Sequence, residues 1–454
     1  MYFLYSLLLA VGVAVLLPRF LLDALRHGKY AAGLGERAGG LQRFDARGRP
    51  VVWLHCVSVG ETQAARPLVG ALLEEFPGHA LVVSTTTLTG QRVAREVFGD
   101  RAALVFYFPF DWAWSVRRAL RRVNPSAVLL METELWPRFM RECRGRGVPV
   151  ALVNGRISET SFRRYRLIRF FIRRVVCDLS FALMQTERDA ERIRALGLPR
   201  ERVKVAGNIK FDADEALGEQ ALTEDFRRRF GFDGGRPLVV AASTHAPEER
   251  VVLEAFARLA GANGAGRPRL LLAPRHPERF GEVAALIESS GFAWARRSAA
   301  PKDGDAGACV ILLDTIGELR AVYPLADIVF VGGSISRTGG HNVLEPAAAA
   351  KCVVTGPHTF NFTAVVNSFL ERQALVQLPD LDEAEAPGAL ARVLGDLLAN
   401  EGERRRIGER ARAALEENRG ATARTVGLLS TLLEQRAEVR GRGLVKSRSL
   451  TSGL

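Results

Sequence analysis

The chain is poor in cysteine, and the cysteines it has form no motif. Five stand at 56, 143, 177, 309 and 352, an odd number with no CxxC pair. That excludes a disulfide framework and a zinc ribbon, and it suits a reducing compartment. Histidine is almost as scarce: seven in 454 residues, with no HExxH and no His-rich tract, so no dedicated metal site is expected. Acid is in deficit, 50 Asp and Glu against 63 Lys and Arg, which gives a net charge of +13. The implied partner is anionic: nucleic acid, an anionic lipid surface or a phosphorylated substrate. No nucleic-acid-binding motif accompanies the charge, so nucleic acid is the weakest of the three.

Long hydrophobic runs are absent but for one. Residues 2–17, YFLYSLLLAVGVAVLL, carry no charge and are closed by Pro18 and Arg19. A signal peptide would have its basic residues before such a run, whereas here they follow it at Arg26 and Lys29. The run falls just short of the usual spanning length, and Phe20–Leu22 extend it if Arg19 snorkels. The reading is a membrane anchor with the following domain in the cytoplasm.

Hydrophobic residues make up 48% and charged residues 25% of the chain, as in a packed globular protein of two or three domains. From residue 51 onward, short apolar runs alternate with amphipathic stretches. VVWLHCVSV, ALVVSTT, SAVLLME and VPVALVN read as strands in the first half, and PLVVAAS, RLLLAP, CVILLD, DIVFVGG and CVVTG in the second. Near-continuous apolar strands separated by helices predict parallel sheets covered on both faces. The expectation is α/β: two Rossmann-like doubly wound domains facing across a cleft. Their boundaries are an anchor and basic flank at 1–30, a first domain at 31–211, a second at 212–435 and a basic tail at 436–454.

Ligands in such sheets lie beyond the carboxyl ends of the strands, and the unusual residues fall there. In WLHCVSVGET a strand ends near Ser58, Gly60 allows a tight turn, and Glu61 opens a helix. A carboxylate at a helix start is favoured as the anion, so Glu61 is expected to be ionised at pH 7 and able to accept a proton. LLMETELWP places two carboxylates, Glu132 and Glu134, directly after a buried strand, which is poor for stability and good for a site. SFRRYRLIRFFIRRVV, 161–176, has six Arg and no acid. As one helix it lines Arg166, Arg169 and Arg173 on one face, with Leu167, Ile168, Phe171, Ile172, Val175 and Val176 on the other. That reads as a grip on a membrane surface or a phosphorylated lipid.

In the second half, Arg275 and His276 follow a strand end, apt for phosphate, and Gly317 sits at a helix start. VGGSISRTGGHNVLEPAAAA, 331–350, runs a strand into Gly332, Gly333 and Ser334, then through Gly339 and Gly340 into an Ala-rich helix. Glycines let backbone N–H groups approach an anion, and a helix start adds donors. The loop is neither a GxGxxG fingerprint nor a Walker loop. Glu345 can accept two hydrogen bonds from ribose hydroxyls. The Asp212–Asp214 pair matches a DxD pattern, but it lies in the expected linker and is given no role.

Taken in order, GLGERAG, SVGET, TTTLTG, METELWP, NGRIS, GNIKFD, ASTH, PRHPERF, DTIGEL, VGGS, GGHNVLEPA and GPHTFNF resemble the 3-deoxy-D-manno-octulosonic-acid (Kdo) transferases of lipopolysaccharide assembly. The resemblance spans nearly the whole chain. It implies a GT-B glycosyltransferase at the cytoplasmic face of the bacterial inner membrane, with CMP-Kdo as donor substrate and a tetraacylated lipid A precursor as acceptor. It implies no cofactor and no metal. By the family pattern Glu61 is the general base, with Glu132 and Lys210 in support. Donor contacts fall on Pro274, Arg275, Ile316, Gly317, Glu318, Asn342, Val343, Leu344 and Glu345, to which the glycine loop adds Ser334. The acceptor and membrane side takes Glu134, Arg166, Arg169 and Arg173. The chain departs from the family in having Val343 where Pro is common, and Ala246-Pro247 after His245 where Glu-Gly is commoner.

Two other readings stay open at this level. One is a GT-B transferase using a nucleoside-diphosphate sugar, which inhibition by UDP rather than CMP would reveal. The other is a catalytically inactive, membrane-anchored binder of nucleotide or lipid, against which the intact carboxylates at 61 and 132 argue.

Overall fold

The computed structural model describes residues 1–27, 33–212, 220–233, 235–260 and 267–431. Two seven-stranded sheets, entirely parallel in their pairing, organise it. The first contains β1 (Val51–His55), β2 (Ala80–Thr85), β3 (Leu104–Tyr107), β4 (Ala127–Met131), β5 (Val150–Gly155), β6 (Phe181–Met184) and β7 (Val203–Val205). Their order is β3-β2-β1-β4-β5-β6-β7. The second contains β8 (Leu238–Thr244), β9 (Arg269–Pro274), β10 (Trp294–Arg296), β11 (Val310–Leu312), β12 (Ile328–Val331), β13 (Cys352–Thr355) and β14 (Val376–Gln377), in the order β10-β11-β9-β8-β12-β13-β14. Every strand expected from the sequence is present. The central ones, β1, β2, β4 and β5, are buried along their full length, as their unbroken apolar runs require.

Each sheet has its own core. In the first unit Trp53 lies under the rings of Phe106 and Phe139, with centroids 5.1 and 5.0 Å away, and its indole N–H donates to Ser84 Oγ at 2.7 Å. Full burial of Trp is tolerated there because its one polar atom has a partner.

The chain divides into one unit of residues 1–212 with 419–454 and a second of 213–418. The first boundary falls one residue from its expected place. The second does not: residues 419–435 were expected in the second domain. Ala421, Val426 and Leu429 instead join a core with Val52, Leu54 and Leu68. Asp212, half of the DxD pattern, accepts backbone N–H bonds from Gly420 and Thr422 and so ties this returning segment to the first unit. Asp214 and the expected tail at 436–454 lie outside the described residues.

The apolar run 2–17 forms the start of a helix, Tyr2–His27. Among the described residues no helix is long and apolar enough to cross a membrane, so a spanning anchor has no support here. The Tyr2 hydroxyl donates to Asp178 and the Tyr5 hydroxyl donates to Asp111 at 2.8 Å, and both rings pack on Phe171. These contacts hold the start of the helix against the first unit, while Phe3, Leu4, Leu7, Leu8 and Val11 are exposed.

The Arg-rich stretch also differs from expectation. It is two helices, Glu159–Leu167 and Arg169–Val176, broken at Ile168. The break turns Leu167, Ile168 and Phe170 outward, at 86%, 52% and 70% exposure, although a single helix would have buried the first two. Ile172, Val175 and Val176 do face the core. Arg166 stacks over Phe162 and Arg174 over Phe170, and the stem of Arg173 lies over Gly197; Arg169 and Arg173 share a face of the second helix, and the break at Ile168 separates them from Arg166.

Candidate functional site

In the first unit the chain fills β2 and β3 on one side of β1 before crossing to β4 on the other. The switch point, where such sheets bind ligands, therefore lies beyond β1 and β4. Glu61 follows β1 and Glu132 follows β4.

Ser58 caps the helix Val59–Ala64, and Glu61 is its third residue. The carboxylate turns back to accept from the Val57 backbone N–H at 2.8 Å and from the Ser58 hydroxyl at 3.0 Å. Capping and chemistry are thus not alternatives at this residue, because the cap holds the carboxylate in place. Glu61 is 8% exposed. Burial pushes its carboxyl up to about 7, with the negative charges of Glu132 and Glu134 adding to the effect and the Val57 and Ser58 bonds opposing it. The expectation of a fully ionised carboxylate is corrected accordingly: loss of solvent outweighs the helix start, and the group titrates near neutrality.

Glu132 has φ of +53°, in the left-handed region that a residue with a side chain rarely adopts. Strain of this kind persists only where its surroundings hold it, and it clusters at functional sites. Here the Glu132 N–H donates to Val153 O at 2.9 Å. Lys210 Nζ reaches Glu132 Oε1 at 3.0 Å, and Arg156 Nε lies 3.7 Å from Oε2. Lys210 comes from a distant turn, Ile209–Asp212, whose Ile209 N–H donates to Asn154 Oδ1 at 3.1 Å. Asn154 is itself left-handed, at φ +55°. It sits at the end of β5, where the register with β6 shifts. The sequence reading missed the parts played by Asn154 and Arg156; their signal was the NGRIS segment following a strand. Burial, helped by Glu132, pushes the Glu134 carboxyl up to about 7. Glu61, Glu132, Glu134 and Lys210 are therefore gathered at one end of one sheet. Arg166, Arg169 and Arg173 belong instead to the helices after β5.

A surface hollow of about 520 Å³ beside β7, lined by Glu187, Arg194, Arg200, Glu201, Val203, Lys204 and Val205, contains none of these residues.

In the second unit the switch point lies between β8 and β12. Pro274 ends β9, and Arg275 is exposed beyond it, its N–H bonded to Thr244 O at 3.0 Å. Ile316 is 79% exposed, Gly317 has φ of +87°, and Glu318 is paired with Arg297 at 2.9 Å. Asn342 Nδ2 donates to Glu345 Oε1 at 3.2 Å, and Arg320 lies 3.1 Å from the same oxygen. Val343 and Leu344 are buried, so their backbone is what they can offer a ligand. The expected Ala-rich helix is a short one, Leu344–Ala348.

The glycine loop is corrected more sharply. Glu248, fully buried, accepts from the backbone N–H groups of Gly333, Ser334, Ile335 and Ser336 at 2.7, 2.8, 2.8 and 3.2 Å, and from that of His245 at 3.0 Å. The nest expected to cradle an external anion is filled by an internal one. Ser334 is also buried, with its hydroxyl donating to Val331 O and accepting from Gly356 N, so it offers a ligand no hydroxyl. Glu248 was visible in the sequence only as one of two acids opening a helix.

Comparison with known proteins identifies the family and the fold. Residues 32–213 match the family model of 3-deoxy-D-manno-octulosonic-acid transferase (kdotransferase). The chain is 34% identical over 435 residues to a 3-deoxy-D-manno-octulosonic acid transferase of Haemophilus influenzae, covering 95% of this chain and 99% of that protein. It is 39% identical over 389 residues to the transferase of the same description from Bordetella pertussis, covering 84% and 87%. Among solved structures, UDP-GlcNAc 2-epimerase from Neisseria meningitidis superposes with a TM-score of 0.54 at 12% identity, covering 85% of this chain and 100% of that one. At that identity the likeness is one of fold, and the two parallel-sheet α/β domains are consistent with GT-B.

Proposed function

The chain belongs to the 3-deoxy-D-manno-octulosonic-acid transferase family, glycosyltransferases that move Kdo, and from that premise we propose that it transfers Kdo from CMP-Kdo to a hydroxyl of a lipid A precursor with Glu61 as general base. The observation that carries this reading is Glu61 itself: a carboxyl buried beside Glu132 and Glu134 and held by Val57 and Ser58, which burial pushes up to about 7. A general base works best with a pKa near the operating pH. The acceptor oxygen attacks the anomeric carbon of the donor sugar and forms the new C–O bond. The bond from that carbon to the CMP phosphate breaks, and its electron pair leaves with the phosphate. Glu61 takes the acceptor proton as the bond forms. Displacement by the acceptor inverts the anomeric centre and forms no covalent intermediate on the enzyme. No cofactor or metal enters the step. Arg275 and the residues from Asn342 to Glu345 hold the nucleotide in this scheme, and Lys210 with Glu132 supports the base. The test is turnover with CMP-Kdo and tetraacylated lipid A precursor. Kdo-bearing lipid and free CMP are expected, with CMP and not UDP inhibiting; inhibition by UDP alone would overturn the donor assignment.

The ribose contact gives a second measurement. Glu345→Ala is expected to weaken CMP binding by about 1–3 kcal/mol, the range for hydrogen bonds to a charged group. Unchanged affinity by calorimetry would remove Glu345 from the pocket.

We further propose that the enzyme works at the cytoplasmic face of the bacterial inner membrane, lying on the surface rather than spanning it. The support is an exposed apolar set, Phe3, Leu4, Leu7 and Leu8 on the N-terminal helix and Leu167, Ile168 and Phe170 at the helix break, with Tyr2 and Tyr5 joining the two through Phe171. Arg163, Arg164, Arg166, Arg169 and Arg174, all exposed, flank the break. Apolar side chains ringed by cations suit an anionic interface. Leu167→Ser with Phe170→Ser is expected to reduce flotation with anionic phospholipid vesicles. Arg166→Gln and Arg169→Gln should each cost about 1 kcal/mol of binding, less as salt is raised. Wild-type flotation by all four substitutions combined would leave the face an ordinary solvated surface.

A further inference from the structure

At the switch point of the second sheet, three adjacent strands, β9, β8 and β12, each lead into a histidine. His245 directly follows β8, His276 lies just beyond β9, and His341 stands in the loop after β12. His245 Nε2 and His341 Nε2 are 2.7 Å apart, with the rings nearly parallel at 6°. Two imidazole nitrogens so close must share a hydrogen, one donating and the other offering its lone pair. The backbone on both sides of the contact is locally irregular. The register of β8 with β9 slips between Ala242 and Thr244, and Ser243 takes φ of +54°, which re-aims the chain at His245. A Cβ on Gly333, itself at φ +68°, would lie 2.8 Å from the His341 ring.

The charged groups around the pair carry both signs, and among the described residues only one of the cations is left unpaired. His276 meets the His245 ring edge-on at 4.9 Å, and Arg275 and Arg279 both act on His245. Arg279 is neutralised by Glu249 at 2.7 Å and by Glu282 at 2.8 Å. Glu248 is committed to the backbone N–H groups described above. Arg275 makes no ion pair among the described residues. His276 itself lies 3.6 Å from Glu278, so an anionic group arriving here finds the glycine nest already occupied and the Arg275 guanidinium and the histidine pair available.

We propose that His245 and His341 form, with Arg275, an oxyanion seat for an anionic group of the donor, and that the pair takes up a proton when that group docks. This rests on the donor reading given above. Without ligand the pair is neutral at pH 7: burial lowers His245, and burial, then the unfavourable second charge beside His245, then Arg275, take His341 down to about 4. An anion cancels the field of Arg275 and stabilises the imidazolium, so both titration midpoints rise on binding. By linkage, the anion then binds more tightly as pH falls, up to tenfold for each unit the midpoint rises.

The donor class carries two candidate oxyanions, a phosphate and a sugar carboxylate, and two probes separate them. The imidazole NMR signals of the full-length chain, labelled at histidine, would be titrated with acid alone, with saturating CMP and with saturating free Kdo. A midpoint rise of one unit or more with CMP assigns the phosphate to the seat, and a rise with Kdo alone assigns the carboxylate. In His341→Gln, the affinity for the effective probe should fall about tenfold at pH 5 and less than twofold at pH 8. A thermal melt matching the wild type shows that this variant folds; His245→Asn serves if it does not. Midpoints unmoved by either probe, or an equal loss of affinity at both pH values, overturn the proposal. If the midpoints stay fixed although CMP binds, the donor reading survives; if wild type binds neither CMP nor Kdo, both fall.

Discussion

Glu61→Gln is expected to lower turnover by about 10²–10⁴-fold, the usual cost of losing a general base, while leaving CMP affinity unchanged. Gln keeps the size of the side chain, and its one amide oxygen can still accept from the Val57 N–H while its NH2 donates to the Ser58 hydroxyl oxygen, but it cannot take the acceptor proton. The wild-type rate should rise with pH through about 7, because the base is the ionised form and burial holds its pKa there. That rising limb should disappear in the variant. Stability should move the other way. The native Glu61 titrates above the ordinary value of 4.5, so between about 4.5 and 7 the folded state binds more protons than the unfolded one. Stability contributed by this group is therefore lost as pH rises through that window, on the order of 3 kcal/mol by pH 8. Glu61→Gln lacks the penalty and should melt higher than wild type at pH 8, with the difference shrinking towards pH 4. A variant that keeps near-normal turnover moves the base to another carboxylate.

Lys210→Met should have the next largest effect, about 10²–10³-fold on turnover, comparable to removing one preorganised electrostatic contact from an active site. The substitution leaves Glu132 with Arg156 alone, at 3.7 Å, in place of a direct contact at 3.0 Å. Glu132→Gln separates position from charge. Its negative charge is one cause of the raised Glu61 pKa, so its loss should shift the acid limb of the pH–rate profile below 7. A limb that stays put in Glu132→Gln would show that the two carboxylates do not communicate. Methionine at 210 should be better tolerated by the fold than alanine, because it replaces the packing of the lysine stem.

Much of this site was legible because its residues stand next to strands. Glu61, Glu132 and Arg275 each follow an apolar run directly, and a parallel sheet delivers such positions to one edge whatever the details of packing. Lys210 was reached by family resemblance, since nothing local distinguishes it from a surface lysine. What joins it to Glu132 is the hydrogen bond of Ile209 to Asn154, a contact 55 residues apart. The glycine loop shows the opposite case. Its sequence announces backbone donors, but whether those donors are free depends on Glu248, 85 residues earlier at Gly333, and no local pattern reveals a buried carboxylate filling a nest.

The sequence alone determined the two parallel sheets, the strand ends carrying carboxylates and cations, the basic balance and the family. These follow from apolar periodicity, residue type and motif order, all of which are properties of short segments. The tertiary structure decided three things that short segments do not contain. Burial set Glu61 near neutrality where its helix position favoured the anion. Packing of Tyr2 and Tyr5 against Asp178, Asp111 and Phe171 held the start of the N-terminal helix to the first unit. Adjacency of β8 and β12 brought His245 within 2.7 Å of His341, 96 residues away. Each depends on which groups lose water and which distant groups become neighbours, and only the folded chain fixes both.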